Sequence, residues 1–257
     1  MVELIFVMLF IGLLLGFIGA GGSGFMIAIL TVGFGYPIHL AMGTALAAMM
    51  FTSLSGTISH IRERNTDIIS GLLIGIVGAV AAWFGAGIAL SIPESVITWL
   101  TASMLALSSI ALFLRLVLAT GDSVPLKKKT IRYPLAVVSL GLITGFLSGT
   151  FGIGATPFIQ LGLMLLLGLP MRLAAGTSML IILPIAAAGG AGYYWADSLD
   201  VPLLLTVLAG TMTGSYLGAK LTKRAPQKLL KTKRAPQKLL KIGIIATPLA
   251  AALILFF

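Results

Sequence analysis

Five stretches of this chain run for about twenty residues or more without a charged side chain: Leu40 to Ser59, Ile68 to Pro93, Ser95 to Leu114, Leu173 to Ala196 and Val201 to Ala219. Each is long enough to cross the ~30 Å hydrocarbon layer of a bilayer as a helix. Composition agrees, since only 9% of the 257 residues are charged and 58% are hydrophobic, whereas a soluble domain carries roughly 25% charged residues. The fold class expected is an all-α polytopic membrane protein. The chain has no cysteine and only two histidines, His39 and His60, which argues against thiolate chemistry, metal or haem, and no cofactor is expected. No Lys or Arg precedes the first apolar run, so that run reads as a retained segment rather than a cleaved signal. The net charge is +10, but the basic residues gather at segment ends, a pattern of membrane orientation and not of nucleic-acid binding.

The chain also repeats itself. Gly35-Tyr-Pro37-Ile-His39-Leu-Ala41-Met-Gly43-Thr44 matches Gly168-Leu-Pro170-Met-Arg172-Leu-Ala174-Ala-Gly176-Thr177 at an offset of 133, which also pairs Asp67 with Asp200, Gly85 with Gly218 and Pro93 with Pro226. Upstream, Gly19-Ala-Gly21-Gly22-Ser23-Gly24 matches Gly149-Thr150-Phe-Gly152-Ile-Gly154 at an offset of 130, with a three-residue insertion before Gly168. Two halves follow, a first transmembrane repeat over 1–119 and a second over 133–257, joined by a linker over 120–132. An identical decapeptide stands twice in tandem over 222–241. It has no counterpart in the first half and reads as a solvated basic end, not a functional site.

Each half opens with a stretch too long for one span and too short for two: Leu4 to Ile38 is 35 uncharged residues, and Tyr133 to Met171 is 39. A hairpin of two short helices turning at the glycine cluster fits such a length. Its irregular turn is tolerated at depth only where protein or a water-filled cavity surrounds it. The loop from His60 to Asp67 carries two arginines, while its equivalent from Tyr193 to Asp200 carries none. Five basic residues lie between Arg115 and Arg132 and nine between Lys220 and Lys241, so both stretches read as cytoplasmic. Equivalent loops then lie on opposite sides, and each half, a hairpin plus three helices, crosses an odd number of times. The expectation is an inverted repeat with ten crossings or part-crossings, both termini outside.

All seven acids lie in loops or at span ends, which weakens an intramembrane carboxylate relay and an intramembrane hydrolase alike. What remains at depth is glycine, hydroxyl and backbone. Where a Gly-rich turn opens into a helix, free N–H groups and the macrodipole suit a small anion. Candidate substrate contacts are Gly22, Ser23, Gly24 and Thr44 in the first half and Thr150, Gly152, Gly154, Thr177 and Ser178 in the second. Close helix packing is the competing use of such residues. His39 and Arg172, repeat equivalents ahead of the Gly-Thr pairs, are candidate entrance residues that gather anions at two mouths, or else interfacial side chains. His60 reads as a satisfied interface residue, and Trp83, Trp99, Tyr193, Tyr194 and Trp195 as an aromatic belt.

These motifs, with His60-Ile-Arg-Glu-Arg-Asn-Thr-Asp67 after the second long span and Gly-Ala at 85 and 218, resemble the TauE/SafE sulfite exporter family, also called the 4-toluene sulfonate uptake permease family, over essentially the whole chain. The resemblance implies a multi-pass permease of the cytoplasmic (inner) membrane for sulfite, thiosulfate or sulfonates such as sulfoacetate. Against the family pattern, Ala28 and Ala45 stand where the second half keeps Pro157 and Ser178, which makes the first-half site less polar.

The reading is a secondary transporter, not an enzyme, that moves a small anion by alternating access. Its partners are that anion, membrane lipid and a coupling ion, H⁺ or Na⁺, with no nucleic acid; no feature selects an oligomeric state. A passive anion channel shares the same site, and a membrane scaffold without a permeant shares the same topology.

Overall fold

A computed structural model describes residues 2–18, 23–118, 132–224 and 249–255, and every element among them is helical. Helix α1 (Val2–Ile18) precedes a short helix α2 (Ser23–Ala28), which runs on as a π-helical turn over Ile29–Gly33. Then come α3 (Ile38–Arg62), α4 (Ile68–Ser91) and α5 (Glu94–Leu118). The second half has α6 (Arg132–Phe151), α7 (Thr156–Leu166), α8 (Met171–Trp195) and α9 (Val201–Arg224), and 249–255 is again helical. Five of these helices are long and apolar enough to cross a membrane, while 3–13, 23–33, 156–166 and 201–215 are shorter apolar stretches. Large apolar side chains such as Phe6, Ile76, Phe84 and Leu135 stand exposed on the outside of the bundle, where lipid replaces water as solvent and their exposure carries no penalty.

From α2 onward, helix starts repeat at one offset. Helices α2 and α7 begin at 23 and 156, α3 and α8 at 38 and 171, and α4 and α9 at 68 and 201, each pair separated by 133. This corrects the upstream offset of 130 and removes the three-residue insertion. The spacing Gly-x-x-Gly-x-Gly occurs twice in the overlapping run Gly16, Gly19, Gly21, Gly22, Gly24, so the glycines alone could be matched in either register. Helix starts favour Gly16, Gly19 and Gly21 as the equivalents of Gly149, Gly152 and Gly154. Gly24, not Ala28, then stands opposite Pro157.

Glycines set the packing because they let backbones touch. A Cβ placed on Gly145 would lie 2.6 Å from the Cα of Gly78, and one on Gly12 would lie 2.8 Å from the Cα of Thr211. Gly12 and Gly145 are equivalents, as are Gly78 and Thr211, so α4 on α6 and α9 on α1 are one interface formed twice. In both pairs the facing residue numbers rise together: Ile74 with Gly141 and Ala82 with Gly149, Ile5 with Gly210 and Leu9 with Gly214. The paired helices are therefore parallel. At the centre, α3 and α8 are antiparallel, with Gly43 against Tyr193, Ala47 against Gly190 and Gly56 against Met179. That interface is self-equivalent too. Leu46 packs on Gly189 as Met179 packs on Gly56, and Gly43 meets the Ser198 carbonyl as Gly176 meets the Asn65 carbonyl.

The linker 120–132 lies outside the described residues except for Arg132, and the tandem decapeptide over 222–241 lies outside them beyond Arg224.

Candidate anion site

The second-half hairpin turns between α6 and α7. Gly152 and Gly154 adopt φ of +68° and +65°, and Ala155, which caps α7 without a side-chain bond, adopts φ of +47°. Glycine takes this left-handed region freely, whereas alanine holds it at a cost of about 1–2 kcal/mol. The turn is wholly buried from Gly152 to Thr156. The Gly152 amide still bonds the Ser148 carbonyl at 2.9 Å, and the Ile159 amide opens α7 on the Ala155 carbonyl at 2.9 Å. Pro157 in the first turn lacks an N–H and is preset for helix. The result is a buried helix start with no side-chain cap, carrying partial positive charge. One turn before Gly152, the hydroxyl of Ser148 is fully buried and has no hydrogen-bond partner.

First-half residues close over this turn. A Cβ on Gly152 would lie 2.8 Å from the Cβ of Met42, and one on Gly154 would lie 2.5 Å from the sulfur of Met49 and 3.9 Å from the Oγ of Ser23. Ser23 begins α2, so the start of that half-helix lies beside the turn that leads into α7. Gly22 falls outside the described residues, and Gly24 is turned toward Leu105 of α5.

The remaining candidates are not gathered here. The Thr150 hydroxyl donates to the Gly85 carbonyl at 3.3 Å and ties α6 to α4. Thr177 accepts from the Asp67 amide at 2.9 Å, bracing the start of α4. Thr44 is fully buried, and its hydroxyl has no partner. Because α3 and α8 are antiparallel, Thr44 lies level with the end of α8 and Thr177 with the end of α3. They are separated by roughly 20 Å along the pair at 1.5 Å per residue, so one small ion cannot touch both. Ser178 donates to the Ala175 carbonyl at 2.8 Å and accepts from Nε2 of Gln160 at 3.0 Å.

His39 Nε2 lies 3.0 Å from the Ala89 carbonyl at the end of α4, and its Nδ1 is 3.9 Å from Oε1 of Glu94. It thus joins the start of α3 to the α4–α5 corner. Arg172 is exposed in the first turn of α8, at the opposite end of the α3–α8 pair.

Three residues departed from their reading in sequence. Tyr193, taken as a belt aromatic, is wholly buried and donates from its hydroxyl to the Gly149 carbonyl at 2.9 Å, just ahead of the turn. Its neighbours Tyr194 and Trp195 are exposed, and Trp195 packs edge-on against Trp83 at 6.3 Å. His60 is not satisfied, because its Nδ1 is buried without a partner. Gln160, buried on α7, was missed. Its signal was visible, since it is the only Gln, Asn, Asp, Glu, Lys or Arg between Tyr133 and Met171.

The chain's matches to other proteins agree with this architecture. The family model described as Sulfite exporter TauE/SafE matches residues 4–235. A probable membrane transporter protein, YdhB, of Bacillus subtilis (strain 168) is 46% identical over 254 residues, which cover 99% of each chain. Another from that organism, YunE, is 27% identical across 75% of each chain, and MJ0441 of Methanocaldococcus jannaschii, also named a probable membrane transporter protein, is 26% identical across 89% of this chain and 88% of its own. No solved structure matches. With a family model spanning nearly its whole length and a relative at 46% identity, the chain belongs to the sulfite exporter TauE/SafE family of membrane transporters.

Proposed function

We propose that this protein is a secondary transporter, without catalytic chemistry of its own, that carries a small sulfur-containing anion such as sulfite, thiosulfate or a sulfonate across the cytoplasmic membrane by alternating access. The observation that carries the reading is the buried, uncapped start of α7, with the orphan Ser148 hydroxyl one turn before Gly152 and Ser23 of the other half beside Gly154. Amide dipoles and hydroxyls, with no cation beside them among the described residues, favour a monovalent or partly protonated ion. Gly152, Gly154 and Ser23 are the first contacts. Gly22, outside the described residues, stays a candidate contact by sequence alone, and Gly24, Thr44, Thr150, Thr177 and Ser178 support the helices around the path. His39 and Arg172, at opposite ends of the α3–α8 pair, are the two entrances.

The two halves, 1–119 and 133–257, form an inverted repeat joined by a cytoplasmic linker over 120–132, with both termini outside. Support comes from the antiparallel run of the equivalents α3 and α8 and from the arginines of the 60–67 loop. Substrate-borne protons or Na⁺ on unwound carbonyls supply coupling.

Proteoliposomes loaded with unlabelled sulfite or sulfoacetate test this. A carrier accumulates labelled anion by saturable counterflow; a channel equilibrates without saturation or counterflow, and a scaffold gives no anion flux above empty vesicles.

A further inference from the structure

The two halves are equivalent in sequence and in most interfaces, but not in how the outer pairs sit on the central pair. Helix α4 lies along α8: Gly71 packs on Leu180, Gly75 on Pro184, Gly78 on Ile185, and Ala86 on Gly192. The equivalent pair is α9 with α3, and among the described residues these two touch far more sparsely. Exposure follows the same division. Phe51, Leu54 and Ile58 on the second half of α3 are exposed, whereas their equivalents Pro184, Ala187 and Ala191 on α8 are partly covered; Ala47 is half-buried where Leu180 is buried.

Hydrogen bonds divide likewise. Thr177 receives the Asp67 amide, but its equivalent Thr44, whose counterpart donor is Asp200, has no partner. Tyr193 holds the Gly149 carbonyl, but its equivalent His60, whose counterpart acceptor is Gly16, has a buried and unpartnered Nδ1. Buried polar groups left unpaired are costly, so each orphan favours an arrangement that pairs it. Thr44 and His60 both belong to α3, on which α9 packs sparsely, while orphan hydroxyls such as that of Ser148 occur on the other side as well.

We infer that the α1–α9 pair is a rigid body that swings onto α3 in a second state of the protein, in which the two halves exchange conformations. The present state is then closed at the end of the 196–200 loop and open at the end of the 63–67 loop. The pivot is the 196–200 loop, where the Ser198 carbonyl stays against Gly43. In the second state Ala47 meets Leu204 as Leu180 now meets Gly71, Phe51 meets Leu208 as Pro184 now meets Gly75, and Thr44 receives the Asp200 amide. The α4–α8 contact loosens in exchange. The inference rests on reading the chain as a two-state carrier, and it names which helices move.

A chain without cysteine permits a direct test. A Cβ on Gly71 would lie 3.4 Å from the Cβ of Leu180, close to the ~3.5–4.5 Å that a disulfide needs. The double variant Gly71→Cys/Leu180→Cys reports the present state, and Ala47→Cys/Leu204→Cys reports the second. Phe51→Cys/Leu208→Cys serves as an independent reporter should the former fail to fold. Each is oxidised mildly in proteoliposomes with and without sulfoacetate, because sulfite would itself cleave disulfides. The expected result is that both kinds of pair cross-link, that a variant carrying both pairs forms only one bond per molecule, and that either bond abolishes uptake until reduced. Two bonds in one molecule, or no bond at 47/204 and 51/208 in protein that transports, would overturn the exchange. Exclusive cross-linking in protein that shows no anion flux would leave the motion standing and remove the transport reading instead.

Discussion

The α4–α6–α8 side and the α1–α3–α9 side of this molecule are built from the same repeated sequence, yet one is closed and the other is not. Inside each outer pair the packing is equally tight, because Gly145 sits on Gly78 as Gly12 sits on Thr211. The difference lies between pairs: α4 is laid along α8, whereas α9 touches α3 sparsely among the described residues. This separates two uses of glycine in a membrane. Glycines at 12, 141, 145, 149, 210 and 214 make rigid bodies, those at 71, 75 and 192 line a surface that α4 can leave, and Gly78 faces both α6 and α8. Lipid gives no strong drive to close such a surface, since exposed side chains there lose little. The two arrangements can therefore stay close in energy, as a carrier requires.

The largest expected effect tests the rigid bodies. Gly145→Leu and Gly12→Leu should each cost more than about 3 kcal/mol, because the new side chain must displace backbone that cannot yield. Size-exclusion profiles and thermal unfolding should show both proteins losing the monodisperse folded peak. A mild effect in Gly12→Leu alone would mean that α1 and α9 are not a unit. Next, Gly176→Ala should destabilise by about 2–3 kcal/mol, since its Cβ would collide with the Asn65 carbonyl. Gly43→Ala, set against the Ser198 carbonyl, should do the same if the α3–α8 centre is symmetric.

Hydrogen bonds should sharpen the asymmetry. Thr177→Val leaves the Asp67 amide without its acceptor and should cost about 1–2 kcal/mol in thermal unfolding. The smallest expected effect on stability is that of Thr44→Val, whose hydroxyl has no partner to lose. Its consequence lies in function: losing about 1 kcal/mol from the second state alone shifts the equilibrium roughly fivefold away from it, so sulfite or sulfonate uptake should fall while the unfolding temperature holds. Equal destabilisation by the two valines would contradict the division into a closed and an open side.

Much of the architecture was legible in sequence because the bilayer dictates it. Uncharged length picks out four of the five helices long enough to span, α3, α4, α5 and α8. The fifth, α6, lies inside the 133–171 stretch read as a hairpin of short or tilted helices. The excess length of 4–38 and 133–171 points to a broken helix. The location of the second turn at Gly152 to Ala155 also followed, since glycine clusters mark where backbone leaves the regular helix. Register failed upstream because overlapping glycine triplets offer two matches, and only the starts of α2 and α7 choose between them. The spread of the site residues failed for a different reason. Thr44 and Thr177 share a motif, but antiparallel packing of α3 and α8 sends equivalent motifs to opposite ends. Tyr193 looked like an interfacial aromatic beside Tyr194 and Trp195, and only its helical phase, pointing at Gly43 rather than outward, makes it a buried tether.

The most direct test of the account is the thermal stability of the detergent-purified protein against sulfite, thiosulfate, sulfoacetate, sulfate, acetate and chloride, in the wild type and in Gly154→Ala and Ser23→Ala. An anion that binds the folded state raises its stability by mass action, roughly 2.7 kcal/mol at a hundredfold excess over Kd. Gly154→Ala places a methyl group against the flexible end of Met49 and inside the turn, so the protein should still fold while the site is obstructed. The account predicts that sulfite, thiosulfate or sulfoacetate raises the unfolding temperature of the wild type, and that the rise is lost in Gly154→Ala and reduced in Ser23→Ala. No rise with any of these anions at millimolar concentration, or a rise left unchanged in both variants, would contradict it.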